Sequence, residues 1–129
     1  MALKLLIAAV LLNYVMVVTA SLWRAQAWTP AGWGVAVGPR DVPVEPSVYC
    51  ARSDRAAKNM SENLPFFAAL VLAAYAAGRQ GPLVDQCAAV FLIARVVYWP
   101  VYLAGIPYLR TGVWAVSVLA LAGIAYAAL

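Results

Sequence analysis

The chain has 129 residues, of which 66% are hydrophobic and only 11% charged, which is too little polar surface to clothe a water-soluble domain of this size. Its net charge of +4 comes from a few basic residues scattered between long apolar runs, so it reads as membrane orientation and site chemistry rather than as a nucleic-acid patch. Histidine is absent, which removes the usual neutral-pH base and the commonest metal ligand, and Cys50 and Cys87 are too few for a disulfide framework.

Apolar length predicts an all-α integral membrane protein: a single domain folded as an up-down four-helix bundle, with spans at about 4–23, 59–78, 83–105 and 111–129. In the first, Leu5 to Trp23 is uncharged with Asn13 as its one strongly polar side chain, long enough to cross a core of about 30 Å. A signal peptide is the rival reading, since Lys4 precedes the run and Val18-Thr19-Ala20-Ser21 resembles a cleavage site. Cleavage would leave the arginine-bearing segment that follows translocated, against the positive-inside tendency.

Residues 24–46 are rich in glycine and proline (Pro30, Gly32, Gly34, Gly38, Pro39, Pro43, Pro46), with Trp28 and Trp33 interleaved, and are expected to form a cytoplasmic loop at the membrane surface. Such a loop serves equally well as a tryptophan-anchored connection or as a lid over a site. Pro46 is suited to open the next helix.

The second span has an uncharged run, Asn63 to Gly78, of only about 16 residues, short of the bilayer thickness. A full-length crossing starts near Asn59, drawing Glu62 into the membrane and leaving Arg55 and Lys58 at its edge. Gly78-Arg79-Gln80-Gly81-Pro82 is then a tight turn. The third span carries Arg95 near its middle and ends before Pro107, and Thr111 to Leu129 forms the fourth. Pro65 and Pro100 are expected to bend their helices.

Orientation follows from the basic residues. Arg24, Arg40, Arg52, Arg55, Lys58 and Arg110 lie on the side of loops one and three, against Lys4 and Arg79 on the other, so loops one and three are expected to be cytoplasmic. Cys50 and Cys87 fall near opposite faces, beyond the Cα separation of roughly 4.4–6.8 Å that a disulfide requires. Both read as packing residues rather than nucleophiles.

Arg55, Asn59 and Glu62 share one helical stripe, with Lys58 four residues before Glu62, while Arg95, Tyr98 and Tyr102 form a second stripe on the third span. Counting outward from the turn near Gly81 sets Glu62 level with Tyr98 and Trp99, Asn59 level with Tyr102, and Arg95 one turn deeper. A Glu62–Arg95 ion pair that merely joins two helices is one outcome. The other is a site, because Arg55, Lys58, Arg95 and Arg110 outnumber Glu62 and leave positive charge for an anionic ligand.

The stretch Arg55-Ala56-Ala57-Lys58-Asn59-Met60-Ser61-Glu62-Asn63-Leu64-Pro65-Phe66 resembles the Arg-Ala-x-x-Asn-x-x-Glu-Asn…Pro-Phe signature of the membrane-associated proteins in eicosanoid and glutathione metabolism, the MAPEG family. Ala94-Arg95-Val96-Val97-Tyr98 through Tyr102, followed by Gly105-Ile106-Pro107-Tyr108-Leu109-Arg110-Thr111, is similar to the third helix and loop of small bacterial members. The resemblance implies a homotrimer in the bacterial inner membrane, with glutathione in cytoplasm-facing clefts between subunits. It implies glutathione-binding roles for Arg55, Lys58, Asn59, Glu62, Arg95, Tyr98 and Tyr102, and a catalytic role for Arg110 in holding the sulfur as thiolate. Ala57 stands where several eukaryotic members have histidine or glutamine, Tyr98 stands where one branch has histidine, and the stretch from Arg95 to Arg110 is about a residue shorter than in some members.

The function expected from this is a glutathione-dependent transferase or peroxidase acting on a hydrophobic small molecule or lipid electrophile. The alternative is a non-catalytic scaffold or lipid-binding protein on the same fold. A small proton-coupled exporter would also have four short spans and a membrane carboxylate, but Glu62 lies among cations at the membrane edge.

Overall fold

A computed structural model describes residues 1–39 and 46–129. The chain folds into α1 (Ala2–Ala25), α2 (Pro30–Val37), α3 (Val48–Ala76), α4 (Pro82–Ala104) and α5 (Pro107–Ala128). Arg40 and Pro43, counted in the first connection, lie outside the described residues.

Local chemistry sets most of these boundaries. The Thr29 hydroxyl accepts from the Gly32 N–H at 3.0 Å with Pro30 in the first turn of α2, and the Ser47 hydroxyl accepts from the Cys50 N–H at 3.2 Å to open α3. Pro82 and Pro107 open α4 and α5. The segment expected to be a loop therefore contains a helix, and α2 folds back on the end of α1. Gly32 sits so close to the Gln26 carbonyl that any side chain there would collide with it. α3 starts one residue after its cap at Ser47, well before the expected edge of the second crossing, and both α3 and α4 continue through their internal prolines, Pro65 and Pro100.

The four long helices pack side by side, each antiparallel to the next. One end is marked by the Arg24–Asp54 ion pair between α1 and α3, the other by the Ala2 N–H donating to Asp85 Oδ1 of α4 at 2.7 Å. Arg79 donates to the Leu129 carbonyl at 3.1 Å, closing the same far end between α3 and α5. Midway, the Ser61 hydroxyl donates to Asn13 Oδ1 at 2.9 Å, so the one strongly polar group of α1 finds its partner on α3.

The core follows a coiled-coil repeat of alternating three- and four-residue steps. On α3 it runs Cys50, Ser53, Ala57, Met60, Leu64, Phe67, Val71, Ala74; on α4 it runs Val84, Ala88, Phe91, Arg95, Tyr98. Phe67 and Phe91 stack across the two helices with centroids 4.2 Å apart and planes 19° from parallel. Large apolar side chains also cover the outside, among them Ile7, Leu11, Phe66, Ile93, Leu119 and Tyr126, as a hydrocarbon surrounding favours. α1, α4 and α5 are long and apolar enough to cross a membrane; α3, with Arg52, Asp54, Arg55, Lys58 and Glu62 in its first half, is not in that set.

Candidate functional site

A cleft opens beside the α4–α5 turn. Asn59 of α3, Tyr98 and Tyr102 of α4, and Arg110, Thr111 and Trp114 of α5 line a cavity of about 290 Å³. That is at the lower end of small-molecule sites, roughly 300–1,000 Å³. Tyr98 and Tyr102 meet edge to face with centroids 5.4 Å apart and planes at 63°. The Arg110 guanidinium carbon lies 5.0 Å from the Tyr102 ring centre, within cation–π range, so the cation is held against an aromatic wall.

The position of Arg110 depends on the turn before it. Gly105 ends α4 with φ +75°, a left-handed conformation that a side chain resists. Arg52 Nη1 donates to the Leu103 carbonyl at 2.9 Å, and its guanidinium fills the space that a Cβ on Gly105 would occupy. A cation from α3 thus caps the negative end of α4, where the last carbonyls lack helical partners. Sequence reasoning counted Arg52 only as an orientation charge. The available signal was the C-cap glycine itself, which must leave room for something.

Arg95 occupies a core position of α4 and is 1% exposed. Its Nη1 donates to Asn59 Oδ1 at 2.7 Å, and its guanidinium carbon lies 5.2 Å from the Phe91 ring centre and 5.5 Å from that of Tyr98. Among the described residues Nε and Nη2 are buried without an acceptor, and the two π faces offset part of that deficit.

The sequence-predicted residues therefore divide. Asn59, Tyr98, Tyr102 and Arg110 come together in the cleft, and Arg95 stands behind Asn59 rather than lining it. Arg55, Lys58 and Glu62 are exposed on the outer side of α3 and do not line it. The Glu62–Arg95 pair does not form. Successive residues turn by about 100°, so Glu62 points roughly 60° further from the core than Asn59, and the Arg95 side chain meets the nearer amide. Thr111 and Trp114 went unrecognised, although Trp114 lies four residues after Arg110 on the same face of α5 and Thr111 three residues before Trp114.

Cys50 and Cys87 are both free. Cys50 is buried in the charged first half of α3, and that burial, reinforced by the Asp54 carboxylate, pushes its thiol above the ordinary range.

Searches of curated proteins and of solved structures return no match. The sequence model of the MAPEG family matches residues 2–129, essentially the whole chain. With three helices fit to cross a bilayer and that match, the molecule is an integral membrane protein, and the chain belongs to the MAPEG family.

Proposed function

We propose that this protein binds glutathione in the α3–α4–α5 cleft and activates its thiol toward electrophiles dissolved in the membrane. The carrying observation is the juxtaposition, in one cleft, of the Arg110 cation, the Tyr98–Tyr102 wall and the Asn59 amide. Family membership supports a glutathione-related activity. Glutathione is the substrate here, and the donor set suits it: the Asn59 amide for a carboxylate and the Arg110 cation for its sulfur.

Magnitudes favour the role given to Arg110. A free thiol with a pKa of about 8.5 is roughly 3% ionised at pH 7, and a cation that lowers it by about two units makes the thiolate the major form. The thiolate then attacks an electrophilic carbon, forming a C–S bond as the leaving group departs with its electron pair. With a lipid hydroperoxide it takes the terminal oxygen, and a second glutathione completes reduction to alcohol, water and glutathione disulfide.

Further parts of the reading are that α3 makes a fourth crossing, that loops one and three face the cytoplasm of a bacterial inner membrane, and that three copies assemble. Arg55, Lys58 and Glu62 support the assembly. They share a helix with Asn59 but point outward from the single chain, where a neighbouring subunit would enclose them.

The scaffold reading draws on the same fact, because a single chain leaves these charges outside the cleft. Turnover separates the two. Detergent-purified protein given glutathione and an activated aryl halide should form the thioether in proportion to enzyme; a rate equal to the protein-free reaction would leave the scaffold reading standing.

A further inference from the structure

The contact between Arg95 and Asn59 has a chemical direction. A guanidinium carries only donors, so the Asn59 atom that faces it at 2.7 Å must be the carbonyl oxygen, Oδ1. The amide nitrogen, Nδ2, makes no hydrogen bond among the described residues and belongs to a side chain that lines the cleft. Nothing nearby lets this amide turn over. Arg95 is enclosed between the Phe91 and Tyr98 rings, and Asn59 Oδ1 is its one side-chain acceptor among the described residues. Reversing the amide would set NH2 against guanidinium and strip a buried cation of that acceptor. Asn63 holds the backbone beneath, its Nδ2 donating to the Asn59 carbonyl at 2.8 Å.

We infer that Arg95 is a positioning residue that locks the Asn59 amide with its NH2 group in the cleft, so that the cleft selects a ligand presenting a carboxylate or carbonyl oxygen there. The inference deepens the glutathione reading and rests on it. It assigns Arg95 to orientation, apart from ligand contact. It also makes this point of the cleft donor-only, while the thiol-activating cation sits separately on α5.

Asn59→Asp is the informative variant. It keeps the shape and an oxygen for Arg95, so the fold is retained, but replaces the donor in the cleft with a second oxygen. Arg95→Lys keeps a donor-only cation behind Asn59, whereas Arg95→Gln offers either polarity and frees the amide to turn. Glutathione is titrated into full-length protein in detergent, with binding affinity and the pKa of the bound thiol read separately.

Asn59→Asp should weaken binding about ten- to hundred-fold, the value of a hydrogen bond to a charged group, without lowering the melting temperature. Arg95→Gln should weaken it about ten-fold and Arg95→Lys by no more than about three-fold, with the bound-thiol pKa unchanged in both because Arg110 is intact. A general loss of packing would not produce that split. Wild-type affinity in Asn59→Asp, or equal losses in the two Arg95 variants, overturns the inference alone. A wild-type protein that fails to bind millimolar glutathione overturns the glutathione reading and the inference with it.

Discussion

Arg110 shows how much one residue is asked to supply. It rests against Tyr102 at the cleft, and the proposed function needs it to lower a thiol pKa by about two units, equivalent to about 2.7 kcal/mol of differential stabilisation. Arg110→Ala should therefore return bound glutathione to a few per cent thiolate at pH 7 while the helices stay folded, which ultraviolet difference absorbance and circular dichroism together will show. Cys50 behaves in the opposite sense. It is buried, and that burial raises its thiol pKa, so a maleimide should leave it unmodified in the native protein and label it on unfolding. Residues of the candidate cleft were legible by helical spacing at Asn59, Tyr98 and Tyr102, whereas Arg110 was singled out by the family resemblance. The partnership of Arg95 was not, because depth along a hairpin says which residues are level but not which way each points around its helix. A difference of about 60° in helical phase decided for Asn59 over Glu62.

At the scale of elements, the α4–α5 turn is the part on which the cleft depends. Gly105 meets two demands at once, positive φ and room for the Arg52 guanidinium. Gly105→Ala should cost about 1–3 kcal/mol, seen as a lower melting temperature, because a left-handed non-glycine residue is strained and Arg52 must move off the Leu103 carbonyl. Further along, Phe67→Ala removes one side of the Phe67–Phe91 stack between α3 and α4 and should cost about 3–5 kcal/mol by the same measurement. α1, α4 and α5 were legible because hydrophobic length alone marks a candidate crossing. α2 was not, since dense glycine and proline outweighed the one local clue, Thr29 followed by Pro30 at a helix start. The early start of α3 was legible from Pro46 rather than from hydropathy, which sees only the apolar part of a helix that runs from Val48 to Ala76 because its first turns carry charge.

For the whole molecule, a single chain packs its core but leaves Arg55, Lys58 and Glu62 outward beside a cleft they would be expected to serve. On the proposed account a second copy covers that stripe, and native mass spectrometry in detergent should record three chains per particle; a monomer would remove the support this stripe gives to assembly. Three apolar helices were legible as a membrane fold, but assembly was not legible from the residues, because nothing in one sequence distinguishes an apolar face meeting lipid from one meeting another subunit. The claim on which all three scales depend is that the cleft between α3, α4 and α5 takes glutathione and ionises its thiol. Thiolate absorbance during titration of the wild-type protein with glutathione at pH 7 tests it most directly: the account predicts a saturable rise below millimolar concentration, and a flat titration through millimolar glutathione would contradict it.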